Sequence, residues 1–393
     1  MINQNKHNEQ LEQHEQHEQH EQHEQLEQLE QLEQHKQKKI LFLIKNKLIN
    51  GKLIDTGISI STNYLHLMLK NYDIISQISY CVNTNHIKEI IEIFNPSHII
   101  IEELWFVPEK LKIFSVMFPD VKWIIRSHTA MAFAGCERFI FDWIAQYFTI
   151  PNVIIASNDM RFCNELGIYY QIFSNLSQSD KTIIKKIIYL PNYYDIQTLI
   201  QTPTLIQTPI LIQTPILTDT INICCFGAIR PFKNHLIQAL SAIAFCKKIG
   251  KKLRFHVNHN RNESGGEEYY DNLCHIFNNL DDNYELICHS WCSRTDFLQL
   301  CSTMDIGMQI SISETFNIVG ADIICSGVPL IGSSEIPWLH DDYIVDLFDI
   351  NNIIDKLLIT YNNPNLNICA NLKKLTNYVN ESREIWLKFF EAN

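Results

Sequence analysis

Glu314 and Asp322 stand eight positions apart in the run Ser313-Glu314-Thr315-Phe316-Asn317-Ile318-Val319-Gly320-Ala321-Asp322. Eight helical steps of about 100° total about 800°, so a helix through this run turns both carboxylates toward nearly the same face. Ser313 to Asn317 is expected to open that helix, leaving unpaired backbone N–H groups and the positive end of the helix dipole to meet an anion. Two carboxylates along the face accept hydrogen bonds from hydroxyls, while the helix start holds phosphate. A nucleotide sugar presents both kinds of group.

A second cluster, Gly227-Ala228-Ile229-Arg230-Pro231-Phe232-Lys233-Asn234, follows an apolar strand candidate. Gly227 permits a tight turn close to a ligand, and Arg230 or Lys233 neutralises phosphate oxygens as a leaving diphosphate gathers charge. Glu102-Glu103 ends another strand candidate and reads as a solvated acidic pair, with contact to an acceptor as the other reading. Cys288, His289 and Cys292 invite a zinc site, but no second ligand pair stands at a suitable spacing.

On these residues the chain resembles the C-terminal domain of the GT-B-fold glycosyltransferases that carry an E-x7-E motif, a mostly retaining group using nucleotide-sugar donors. Two positions depart from that pattern. Asp322 stands where a second glutamate is usual, which shortens its reach by one methylene, and Ala228 replaces an arginine directly after the glycine. Lys233 keeps its place six positions after Gly227, and Arg230 stands near enough to compensate for Ala228.

The resemblance implies that Glu314 contacts the donor sugar and Asp322 the ribose hydroxyls. It assigns the diphosphate to Lys233, Arg230, Gly227 and the backbone of Phe316, Asn317 and Ile318. Trp291, in His289-Ser290-Trp291-Cys292, falls beside the nucleotide base. His128, in Arg126-Ser127-His128-Thr129, matches a histidine near the transfer centre, where it touches donor sugar or acceptor. Glu314, His128 and Lys233 are thus the catalytic candidates. The implied activity is retaining transfer of a sugar, a hexose in the usual case, from a nucleotide-diphosphate donor to a glycan, protein or lipid. No D-x-D motif occurs, so no metal ion is demanded, and the nucleotide sugar is a co-substrate rather than a bound cofactor. A nucleotide-sugar epimerase on the same architecture and a non-catalytic nucleotide-sugar binder remain as alternatives. The resemblance is carried by residues 221 to 338, is loose over 39 to 195, and is absent from the N-terminal tail and the linker repeat.

Positioning these groups requires sheets. Lys38 to Ile44 is a short apolar run of the kind found in buried parallel strands, with further strand candidates at His98 to Glu102, Trp123 to Arg126, Val153 to Ala156 and Ile187 to Leu190. The second half alternates in the same way: strands at 221–226, 253–257, 284–288, 306–310 and 328–331, and helices at 236–247, 269–277, 294–301 and through Glu314 and Asp322. Residues 369 to 391 read as a closing helix. Such alternation predicts an α/β protein of two doubly wound, Rossmann-like domains facing across a cleft, with ligand at the carboxyl ends of the strands. The divisions are a low-complexity tail over 1–37, an acceptor-side domain over 38–196, a repeat linker over 197–219 and a nucleotide-sugar-binding domain over 220–393. Leu190-Pro191-Asn192-Tyr193 reads as an architectural crossing between them.

Charge sharpens the division. The chain of 393 residues carries −12, and residues 1 to 35 hold nine glutamates against one lysine, leaving only −4 for the rest. A body so near neutral has no electrostatic footprint for nucleic acid. The tail is built of Glu-Gln-His and Glu-Gln-Leu triplets, whose period drifts about 60° per repeat on a helix and so builds no lasting apolar stripe. The linker repeats a proline-bearing hexad three times, which blocks helix and central strand alike. Twelve cysteines, all beyond residue 80, read as reduced core residues, and no apolar run reaches the ~18 residues of a membrane span. A cytoplasmic protein without a transmembrane segment is expected.

Overall fold

Five consecutive apolar residues, Ile40 to Ile44, are all buried in the strand Lys39–Lys45 (β1). A strand apolar on both faces belongs inside a parallel sheet covered on both sides. The structure, a computed structural model, describes residues 38–45, 48–49, 52–53, 56–81, 84, 86–174, 187–196, 218–259 and 265–392. The acidic tail and the hexad repeat lie outside the described residues.

In the first half, β1 is followed by a small antiparallel pair, Leu48–Ile49 (β2) and Lys52–Leu53 (β3), and then by Gly57–Lys70 (α1) and Ile75–Cys81 (β4). Next come Ile87–Phe94 (α2), His98–Glu102 (β5), Pro108–Met117 (α3), Lys122–Ser127 (β6), Met131–Ala134 (α4), Ile140–Phe148 (α5), Val153–Ser157 (β7), Met160–Ser174 (α6) and Ile187–Tyr189 (β8). The sheet order is β4-β1-β5-β6-β7-β8, parallel throughout.

The second half repeats the plan with Thr220–Cys225 (β9), His235–Ile249 (α7), Lys252–Asn258 (β10), Gly266–Asn278 (α8), Tyr284–His289 (β11), Arg294–Ser302 (α9), Ile306–Gln309 (β12), Ile318–Cys325 (α10) and Leu330–Gly332 (β13). Its order is β11-β10-β9-β12-β13, again all parallel. The order in which strands are added reverses at β9, with β10 and β11 on one side and β12 and β13 on the other, so a crevice opens beyond the carboxyl ends of β9 and β12, where Gly227 and Glu314 follow. Two doubly wound α/β domains are present, as the alternation predicts.

Two more helices close the chain, Ile350–Asn362 (α11) and Pro364–Ala392 (α12). The first turns of α12 are fastened to the second sheet, where Asn367 exchanges hydrogen bonds with both backbone groups of Leu330 at 2.8 and 2.9 Å. Its last turns cross over. Trp386 and Phe390 are buried against Ile40, Phe42 and Ile124 of the first sheet, and Trp386 Nε1 donates to the Pro191 carbonyl at 2.8 Å.

The cysteine expectation holds only in part. All twelve are unpaired thiols, but Cys136, Cys288 and Cys369 are exposed while six others are buried. Cys369 sits on a helix face turned to water, which its apolar neighbour Ile368 does not reveal.

Candidate active site

Gly227 follows β9 at φ 116°, backbone that an L side chain rarely adopts, and its N–H donates to Asn258 Oδ1 at 2.9 Å. The chain then makes a single 3-10 turn, Pro231–Lys233, ended by left-handed Asn234. Gln238, fully buried, stitches this turn to the strand beside it. Its Nε2 donates to the Lys233 carbonyl at 2.7 Å and its Oε1 accepts from Ile310 N–H at 3.1 Å. Ile312 N–H adds a bond to the Phe232 carbonyl at 2.8 Å. The two loops are thereby held side by side, and the Lys233 ammonium pairs with the Glu314 carboxylate.

Glu314 is not on the helix with Asp322. The helix α10 begins at Ile318, and Asn317, at φ 61°, turns the chain sharply just before it. Asn317 is locked there: its Oδ1 accepts from Gly320 N–H at 2.7 Å and its Nδ2 donates to Gln309 Oε1 at 3.0 Å. A Cβ on Gly320 would meet Asn317 Oδ1 and Leu330 at 3.2 Å and Trp338 at 3.3 Å, so a side chain there would press on the cap by a few tenths of an ångström. The helical spacing argument therefore fails. Glu314 reaches the cleft from a fixed loop and Asp322 from the second turn of α10, each with a different cation.

Asp322 pairs bidentately with Arg294, the first residue of α9, and also accepts the Tyr194 hydroxyl at 2.6 Å. Tyr64 of α1 joins across the domains, its hydroxyl 3.2 Å from Arg294 Nη2. Burial raises the Asp322 pKa, with Arg294 and Tyr194 working against it. Burial likewise drives the Tyr194 phenol well up. Nothing in the sequence pattern singles out Arg294 or Tyr194; each lies in an element read as scaffold.

On the first domain, Glu102 is no solvated residue. It is fully buried at the end of β5, where Arg126 Nη1 donates to both its oxygens at 2.9 and 3.1 Å and His128 Nε2 lies 2.6 Å from Oε2. Burial pushes its pKa up, but Arg126 and His128 outweigh that and hold it below the usual carboxylate value. The apolar run His98 to Ile101 carries Glu102 inward, which an Asp/Glu-rich pair on its own does not foretell. Its neighbour Glu103 sits at φ 72° and turns the other way, onto the cleft.

The 2.6 Å contact to a carboxylate requires the proton on His128 Nε2. His128 Nδ1 then faces Asn158 Nδ2 at 3.3 Å, and the same amide donates to Thr315 Oγ1 at 2.9 Å, beside Glu314. The first-domain histidine and the second-domain carboxylate loop are thus linked through one side chain. Arg230 crosses the cleft in the other direction, its guanidinium 4.8 Å over the Phe133 ring.

All of these line one cleft of about 950 Å³ between the domains: Gly227, Arg230, Lys233, Trp291, Arg294, Glu314, the backbone at Phe316, Asn317 and Ile318, Asp322 and, opposite, His128, Glu103 and Trp105. The size suits a nucleotide-bearing ligand. The Phe316 side chain itself is buried in the core, with its carbonyl taken by Trp338 Nε1 at 2.6 Å. Among the described residues, no group of three His, Cys, Asp or Glu side chains could hold a metal ion, and no helix is long and apolar enough to cross a membrane.

The two parallel-sheet α/β domains are shared with solved structures. This is the GT-B fold. An α,α-trehalose-phosphate synthase (UDP-forming) from Burkholderia vietnamiensis is similar with a TM-score of 0.64 at 10% identity, over 90% of this chain and 96% of that one. The N-terminal domain of a Candida albicans trehalose-6-phosphate phosphatase gives 0.68 at 10% identity, over 89% and 98%. A trehalose-6-phosphate protein from E. coli bound with UDP-2-fluoro glucose gives 0.62 at 11% identity, over 90% and 99%. No protein-family model and no curated protein sequence matches the chain.

Proposed function

We propose that this GT-B protein is a glycosyltransferase that moves a sugar from a nucleotide-diphosphate donor to an acceptor hydroxyl, with retention at the anomeric carbon. The observation that carries the reading is the Lys233–Glu314 pair, fixed by Gln238 between two strand ends and next to the start of α10. A lysine ammonium has three donors, and one serves Glu314. The others are available to phosphate oxygens as the bond from anomeric carbon to diphosphate breaks. The positive end of the α10 dipole adds to that charge stabilisation.

In this reading Glu314 accepts hydrogen bonds from donor-sugar hydroxyls, Trp291 flanks the base, and Arg230 supports the diphosphate from the same loop as Lys233. Asp322 and its partner Arg294 line the nucleotide end. His128, held by Glu102, closes the first-domain side. The acceptor hydroxyl attacks from that side and passes its proton to the departing phosphate oxygen. Structural neighbours named for UDP-forming synthesis and for glycosyltransfer with retention support this reading.

A thermal-shift panel of nucleotide sugars tests it. A true donor at 100 times its Kd stabilises the protein by about 2.7 kcal/mol. Product analysis should then find a new glycosidic bond with the donor's anomeric configuration. Donor conversion without any acceptor would point to an epimerase instead, and binding without turnover to a non-catalytic binder.

A further inference from the structure

The family resemblance assigns Asp322 to ribose, yet its carboxylate is already occupied. Oδ1 takes the Tyr194 hydroxyl and one Arg294 nitrogen, Oδ2 takes the other, and the residue is 1% exposed. Three of roughly four acceptor positions are used. Arg294 is in the opposite condition. It lines the cleft, two of its nitrogens serve Asp322, one of them also reaches Tyr64, and its Nε is buried with no hydrogen-bond partner. A buried donor left unsatisfied beside a cleft calls for a partner that the protein does not supply.

We propose that Arg294 binds the nucleotide of the donor and that Asp322 is a positioning residue acting through it. The inference rests on the donor-binding reading and names the residue that grips the nucleotide end. A guanidinium only donates, so its partner is an acceptor oxygen of a nucleoside diphosphate. Asp322 fixes the plane of the fork by its bidentate contact, Tyr194 steadies that carboxylate, and Tyr64 orients Nη2 from the other domain. Arg294 keeps 19% of its side chain exposed against 1% for Asp322, so the guanidinium is the more accessible of the pair to a ligand.

Calorimetric titration of the full chain with UDP, GDP and ADP tests this. At least one of the three is expected to bind the wild-type protein. The double variant Arg294→Met/Asp322→Asn removes both charges and leaves no buried ion unpaired. It is expected to bind that nucleotide about tenfold to a hundredfold more weakly, with the melting temperature of the free protein little changed. Arg294→Lys, which keeps the charge and loses the fork, should fall between. Asp322→Asn should weaken binding when Arg294 is present and add nothing once Arg294 is Met or Lys. The assignment is overturned if the double variant binds like wild type, or if Asp322→Asn costs the same with and without Arg294. Failure of all three nucleotides to bind wild type would sink the donor-binding reading, and this inference with it.

Discussion

Arg126 in the first domain and Arg294 in the second each pair with both oxygens of a buried carboxylate, Arg126 through one nitrogen and Arg294 through two, and they differ in what is left over. Arg126 is fully buried and engaged all round: Nε donates to the Leu190 carbonyl, Nη2 to the Pro191 carbonyl and Asn192 Oδ1, and Nη1 to Glu102. Its ring partner Trp386 covers the remaining face at 5.2 Å. Arg294 keeps an idle Nε and some exposure to the cleft. The same ion pair therefore does two jobs. Complete satisfaction makes the first a strut between β5, β6 and the domain crossing; incomplete satisfaction makes the second a ligand-facing group.

Removing one member of the strut separates the two roles most sharply. Glu102→Gln leaves the Arg126 charge buried against a neutral amide and is expected to cost about 3–5 kcal/mol of stability, measured by denaturant unfolding. A cost below about 1 kcal/mol would erase the distinction between the two domains. Lys233→Ala is the counterpart on the other wall. It should lower turnover by about 10² to 10³ with a much smaller effect on donor affinity, since phosphate charge grows only as the bond breaks. Wild-type turnover in that variant would remove Lys233 from the reaction.

Acid should reveal the strut as well. The folded pKa of Glu102 lies below its ordinary value of 4.5, so its contribution is complete above that pH and is lost as pH falls through the folded value. Thermal unfolding followed downward from pH 5 should therefore narrow the gap between wild type and Glu102→Gln. A gap that stays constant or widens contradicts the pairing. The smallest expected effect is none: transfer should continue at its usual rate in EDTA, because Lys233, Arg230 and the α10 start supply the positive charge. Loss in EDTA with rescue by Mn²⁺ would assign that task to a divalent ion.

Most of the scaffold was legible from the chain. Strands such as Ile40–Ile44 and Ile99–Ile101 are apolar on both faces, and a buried parallel sheet satisfies that pattern. The edge strand β4 was not, because Ser76, Gln77 and Ser79 interrupt its apolar residues where one edge meets no partner strand. At the site, the residue types and their grouping in one cleft could be read, but the geometry joining them could not. A periodicity argument assumes a continuous helix, and one left-handed residue, Asn317, ends that assumption. Glu102 was misjudged for a related reason: burial of a carboxylate depends on an arginine 24 positions away, which no local pattern contains.

The closing helix α12 leaves the second domain and ends beneath the first, so the two lobes are joined by two separate spans of chain rather than one. Its last turns therefore tie the second lobe to the first. Arg161 also pairs with Glu335 between the two lobes, and trimming the last two turns of the helix should loosen the lobe that begins some 350 residues earlier.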